Sequence, residues 1–133
     1  MTAARTIVHF EGHAETRELV VVVPLKVLSE ANVRNHWAVK ARRVKQQRLV
    51  VGLSLRTALA LEPVGLPCVV TLTRLIGSGG RMLDCDNNVG AHKAVRDAVA
   101  ECLGVDDGDQ RMTWQYGQRR AKDWGVEIRI RRV

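Results

Sequence analysis

The stretch "LDCDNNVGAHKAVRDAVAECLGVDDGDQ", residues 83–110, gathers side chains that can do chemistry together. Asp84 and Asp86 stand two apart with Asn87 beside them, Lys93 and Asp97 follow, and Asp106, Asp107 and Asp109 close the run. Carboxylates and amides offer hard oxygen donors, the kind that suit Mg2+ or Mn2+. On a phosphodiester, such an ion polarises the phosphate, generates hydroxide from bound water and neutralises the leaving oxyanion. A lysine beside it stabilises charge developing on the phosphate or positions the water, and Lys93 is the candidate.

Each fragment has a plainer reading beside this one. A DxDN run ahead of a helix serves as a turn and an N-cap, its short polar side chains bonding to nearby backbone. "DDGD" is ordinary turn chemistry as well. Asp84, Asp86 and Asn88 also fall at the first three ligand positions of a calcium loop. That reading fails at Val89, where the loop needs Gly, and at Val95, where it needs a bidentate Glu.

The elements that must position these groups are legible in the apolar pattern. "ELVVVVPL", Glu18 to Leu25, is a continuous β-branched run that predicts a buried strand stopped by Pro24. A helical stretch follows from Ser29 to Leu61, with Ser29, Asn32 or Asn35 as its cap. Its apolar stripe is Val39, Val44, Leu49, Leu53, Leu55 and Leu59, and Gly52 is a point where it can bend or break. Glu62 to Pro67 is a loop, Cys68 to Ile76 a second strand and "GSGG" its turn. Met82 to Asp86 reads as extended, which would point Asp84 and Asp86 to one side.

"HKAVRDAVAECLG" is a second helix with Gly104 at its C′ position, and on it Lys93 and Asp97 are spaced to pair. Such a helix is roughly 20 Å long, so the two acidic groups meet through a neighbouring strand or through a second copy of the chain. Two late strands, "MTWQYGQRR" and "WGVEIRIRRV", complete the set. In the last, Val126, Ile128 and Ile130 alternate with Glu127, Arg129 and Arg131, the mark of a half-buried strand. The expectation is one α+β domain over residues 1–133, a mixed β-sheet packed with two main helices. The first dozen residues are weakly patterned and fray or form a short strand, and residues 1–15 are expected to be flexible.

The bulk composition supports a single packed domain. With 46% hydrophobic residues the chain can bury a core, so disorder is not expected. A net charge of +7 points to a polyanionic partner, nucleic acid first and an anionic membrane surface second. Arg34, Lys40, Arg42, Arg43, Lys45 and Arg48 follow one another with no acidic residue between them, a candidate phosphate track or a solvated helix face. Arg119, Arg120, Lys122, Arg129, Arg131 and Arg132 add a basic tail, some of it serving to solubilise an edge strand.

Trp37, Trp114 and Trp124 read first as packing residues and second as stacking platforms for unpaired bases. Cys68, Cys85 and Cys102 show no CxxC pairing and read as buried thiols of a reducing compartment. No signal peptide and no membrane-length apolar run is present, so a cytoplasmic protein without a membrane partner is expected.

The ordered set "LDCDN", Lys93, "RDAV" and "VDDGDQ" resembles the signature of the RusA family of Holliday-junction resolvases, small phage and prophage endonucleases. The likeness is firm over residues 83–110 and looser over "VPLKVLSEANVRNHW", residues 23–37, which is similar to the family's opening. The resemblance implies a RusA-like fold, Mg2+ or Mn2+ as cofactor, and a homodimer that binds four-way DNA junctions and resolves them by paired nicks. It carries the metal-binding roles over to Asp84, Asp86 and Asp107 and the essential-lysine role to Lys93, with Asn87, Asp97 and Asp106 in support.

One departure stands out: "DNNVGAHK" sets Lys93 a few residues later than the family's run does. Either the helix starts after an added turn at Val89 to Ala91 or the lysine's register has changed, and the kept spacing of Lys93 and Asp97 favours the added turn. His92 beside it reads as a solvent-facing residue or, less readily, a phosphate contact. The expected function is a Mg2+-dependent, structure-selective endodeoxyribonuclease of recombination and repair. The alternatives are a non-catalytic phage-type DNA-binding protein and a metal nuclease acting on other branched nucleic acids.

Overall fold

The structure, a computed structural model, describes residues 7–11, 18–29 and 37–133. In chain order the elements are β1 (Ile7–Glu11), β2 (Glu18–Val23), α1 (Trp37–Leu61), β3 (Cys68–Ile76), α2 (Cys85–Ala91), α3 (Lys93–Cys102), β4 (Met112–Arg120) and β5 (Gly125–Arg132). They form a single α+β domain around a mixed sheet of order β1-β2-β5-β3-β4. Among the described strands only β3 and β4 run parallel, from Cys68 opposite Met112 to Ile76 opposite Arg120. Parallel neighbours need a crossover, and α2 with α3 supplies it. Candidate caps Asn32 and Asn35 and the basic residue Arg34 lie outside the described residues.

One face of the sheet builds the core. Val21 and Val23 of β2, Val126, Ile128 and Ile130 of β5, and Val70 and Leu72 of β3 meet Val51, Leu55 and Ala58 of α1 and Val95, Ala98 and Val99 of α3. Each fully buried aliphatic side chain is worth roughly 1.5–3 kcal/mol of transfer free energy. α1 runs unbroken through Gly52, which the burial of its inner face over a long helix readily offsets. The expected stripe is rotated: Gln47, Val51, Gly52, Leu55 and Ala58 face inward, whereas Val39, Leu49 and Leu53 are exposed. α3 ends in a Schellman turn, with Gly104 N–H donating to Glu101 O and Val105 N–H to Ala100 O, and Gly104 supplies the φ of +76° it requires.

Several expectations change. The sheet carries a third, short helix, α2, where an extended segment was expected, because Asp84 caps a turn that Asn87 completes. β5 is not an edge strand; it pairs with β2 on one side and β3 on the other. Its polar face is not left to water either: Glu127 is 3% exposed because Arg119 and Arg129 close over its carboxylate, and Arg129 also reaches Glu18. Burial alone would push the Glu127 carboxyl up, but the two guanidiniums outweigh it and hold the carboxyl below its ordinary value.

The cysteines are free and unlike one another, Cys68 buried, Cys102 half-buried and Cys85 exposed at the start of α2. Among the described residues no helix is long and apolar enough to cross a membrane.

Candidate functional site

Asp84 is the N-cap of α2: its Oδ1 accepts from Asn87 N–H at 2.8 Å and its Oδ2 from Asn87 Nδ2 at 2.9 Å. Asp86 sits in the first helical turn, exposed, with no hydrogen-bond partner among the described residues. The two carboxylates are therefore placed by a cap and a helical turn, not by strand alternation. The segment before them is clamped by Gln118 of β4, whose Oε1 accepts from Leu83 N–H and whose Nε2 donates to Leu83 O. That side chain reads as one more polar residue of a strand, so its clamp left no signal in the sequence.

Beyond Asp84 residues 85–91 form α2, so Lys93, the first residue of α3, follows one helix length, about 10 Å, further along. Val89 to Ala91 end α2 instead of forming a free turn. Lys93 and Asp97 are not ion-paired among the described residues, and both border a cavity of 340 Å³ that Lys40 of α1 also lines. Lys40, Arg42 and Lys45 are exposed on α1, whereas Arg48 reaches Glu101 of α3 at 3.1 Å and Arg43 is half-buried. In the tail, Arg119 is engaged by Glu127, and Arg120 donates to Gly80 O.

The second acidic group is built differently. Asp107 Oδ2 lies 3.2 Å from Arg96 Nε, and its backbone oxygen accepts from Arg96 Nη2 and Trp114 Nε1. Arg96 also stacks 4.7 Å over the Trp114 ring and donates to the Tyr116 hydroxyl. Asp109 is gripped by Arg111 through both carboxylate oxygens, which pulls its carboxyl down to about 2. Asp106 and Asp107 line an open cavity of 710 Å³ with Asp97, Asp109, Arg48 and Arg111. Arg96 organises this region, and sequence reading passed over it inside "RDAV".

Among the described residues no three His, Cys, Asp or Glu side chains converge on a point where one ion could be held. Asp84 and Asp86 fit the donor set of Mg2+, which takes one or two carboxylates and fills its remaining positions with water and phosphate oxygens. Asp107 does not join them within one chain, since Arg96 and Trp114 hold it near the start of β4, while Leu83 is fixed near that strand's end.

Between the two groups sits His92, at the joint of α2 and α3. It is fully buried, correcting the solvent-facing expectation, with Nδ1 at 2.8 Å from Asn88 O. Burial pushes its pKa down to about 4, aided by the charge of Arg74 and opposed by the bond to Asn88. The neutral ring carries its proton on Nδ1, leaving Nε2 buried without a partner. Of the tryptophans, Trp37 is exposed, while Trp114 and Trp124 are half-buried under arginines.

No family model matches the chain, and no curated protein matches it. Among solved structures it is similar to the OmpA-like domain of FopA1 from Francisella tularensis subsp. tularensis SCHU S4, at 12% identity and a TM-score of 0.44, over 96% of this chain and 80% of that one. A likeness at that level bears on no functional question.

Proposed function

We propose that the chain is a Mg2+- or Mn2+-dependent endonuclease of branched DNA, of the RusA type, acting as a homodimer that nicks four-way junctions in pairs. The observation that carries this reading is the exposed pair Asp84 and Asp86, whose charge no described basic side chain cancels, in a chain of net charge +7. A basic protein gains no affinity for DNA from bare carboxylates; they are useful there when a cation stands between them and a phosphate. Bound at that pair, the ion would supply Lewis-acid activation of the phosphate and of water.

The chain's own residues have the other tasks. Asn87 holds the Asp84 carboxylate in one orientation, and Gln118 fixes the backbone that carries it. Lys40, Arg42 and Lys45 supply a phosphate track along α1, whose Lys40 end shares a cavity with Lys93. Lys93 then acts on a flanking phosphate, one helix length from Asp84, whereas Asp107, paired with Arg96, would reach such a site only from a second copy.

The test is a synthetic four-way junction incubated with the protein, with and without Mg2+. Nicking in Mg2+ that disappears in Asp84→Asn, with junction binding kept, supports the reading; tight binding with no metal-dependent nicking by the unmodified chain overturns it. A second reading, a non-catalytic DNA-binding protein, has its own observation: cap and turn chemistry accounts for Asp84 and Asp109 without any ion. Competition among junctions, flaps, forks and RNA ranks the substrates for a third, a metal nuclease of other branched nucleic acids.

A further inference from the structure

Arg74, near the end of β3, is 3% exposed and has no carboxylate partner among the described residues. Its guanidinium donates only to neutral oxygens, from Nε to Val27 O at 2.7 Å and from Nη1 to Arg81 O and Gln118 Oε1. Nη2, with two more N–H donors, has no partner among the described residues. A buried charge without a counter-charge is costly, and removing it from water is offset only by strong acceptors.

The space it faces explains what the acceptor would be. A cavity of 310 Å³ is lined by Lys26, Ser29, Arg74, Arg81 and Trp124, three cations and, among the described residues, no acid. Ser29 is 6% exposed, and its hydroxyl is buried with no partner among the described residues. Both Lys26 Nζ, at 4.8 Å, and Arg74, at 5.1 Å, stand over the Trp124 ring. The ring in turn lies against the turn at Gly77 and Gly80, where a Cβ would fall 2.3 and 2.4 Å from it. The indole thus fixes where both cations sit. Leu83, which also borders the cavity, immediately precedes Asp84.

We propose that this cavity binds one phosphate group, taken from a nucleic-acid backbone, with Arg74 Nη2, Lys26 and the Ser29 hydroxyl donating to its oxygens. It rests on the nuclease reading for the source of the phosphate and not for its chemistry. A phosphate seated here lies against Leu83, the residue before Asp84, and gives the chain a fixed grip on the strand entering the site. No bond forms or breaks in this step.

Two measurements test it. In the first, inorganic phosphate is added to the unmodified protein at ionic strength matched with chloride. Specific binding raises Tm saturably by about 2–4 °C, and Lys26→Ala loses that rise. Ser29→Ala reduces it while leaving the phosphate-free Tm equal or higher, because an unpaired buried hydroxyl is removed; a structural role for Ser29 would lower that Tm instead. These variants are used because Arg74 also ties down Val27 and Arg81, and its loss can unfold the chain.

In the second, the double variant Lys26→Ala/Ser29→Ala is titrated with duplex and four-way DNA. The expected result is weaker binding to both, with the salt-dependence slope smaller by about one phosphate contact. Unchanged DNA affinity with a lost phosphate shift overturns the backbone source in favour of free phosphate. No shift beyond chloride, or the same shift in all variants, overturns the site. Phosphate binding without Mg2+-dependent nicking removes the nuclease reading alone, and nicking without a phosphate shift removes this site alone.

Discussion

The two acidic groups of the chain follow opposite electrostatic plans. At the start of α2, Asp84 is held by the neutral donors of Asn87 and Asp86 by none among the described residues. In the turn after α3, Asp107 faces Arg96 and Asp109 is gripped by Arg111. Neutral donors orient a carboxylate and leave its charge in place, whereas an arginine orients it and cancels the charge. Acidic residues of similar spacing therefore end with different capacities: the first group can attract a cation, and in the second Asp107 and Asp109 are spent on internal pairing.

The strongest way to break this contrast is to compare Asp84→Asn with Asp107→Asn in the junction-nicking assay. Asparagine caps a helix as well as aspartate does, so Asp84→Asn keeps the fold. Its nicking rate is expected to fall by more than the roughly 10- to 100-fold typical of an outer-shell partner. An equal loss in Asp107→Asn would require a second copy of the chain to bring Asp107 to Asp84.

The joint between the two groups gives the next largest effect. His92 has a pKa of about 4 in the fold against 6.5 outside it. The unfolded chain therefore binds the extra proton first as pH falls. Stability from this group is complete above pH 6.5 and is lost progressively toward pH 4, on the order of 3 kcal/mol in all. Urea unfolding of His92→Gln across that range should show a much flatter pH dependence.

Arg96→Met removes the contacts to Asp107, Tyr116 and Trp114 and should cost about 2–3 kcal/mol in urea unfolding. Arg96→Lys should rescue little of it, because an ammonium cannot stack and bond in the same fork. Asp84→Ala should cost about 1 kcal/mol, the value of a lost cap, which separates the cap from any role in cutting. The smallest effect belongs to Asp109. Its carboxyl, drawn down to about 2 from 3.8, adds stability that is present above pH 4 and fades as pH falls toward 2. Asp109→Asn should erase that slope, and added salt should shrink it.

Much of this was legible in the residues. β3 and β4 run over the same residues as their β-branched and aromatic runs, and Gly104 closes α3 as its position implied. What escaped were features set by partners distant in sequence. "LDCDN" looks extended until Asn87 folds back onto Asp84, and His92 looks exposed because its burial comes from Tyr116, Asn88 and the neighbourhood of Arg74. The alternation in β5 suggested a solvated face, since nothing local tells that Arg119, eight residues earlier, covers Glu127. The Arg74 cavity was invisible for the same reason: its walls come from the segment after β2, from β3, from the turn after it and from Trp124.

The placement of β5 has one more consequence. The last strand in sequence order sits in the middle of the sheet, between β2 and β3. During synthesis the ribosome delivers it after every other element, so β2 and β3 must wait side by side with their facing edges unpaired. Folding is then expected to be a late, cooperative event instead of a progressive one. Strands that wait with open edges are also where copies of the chain can mispair.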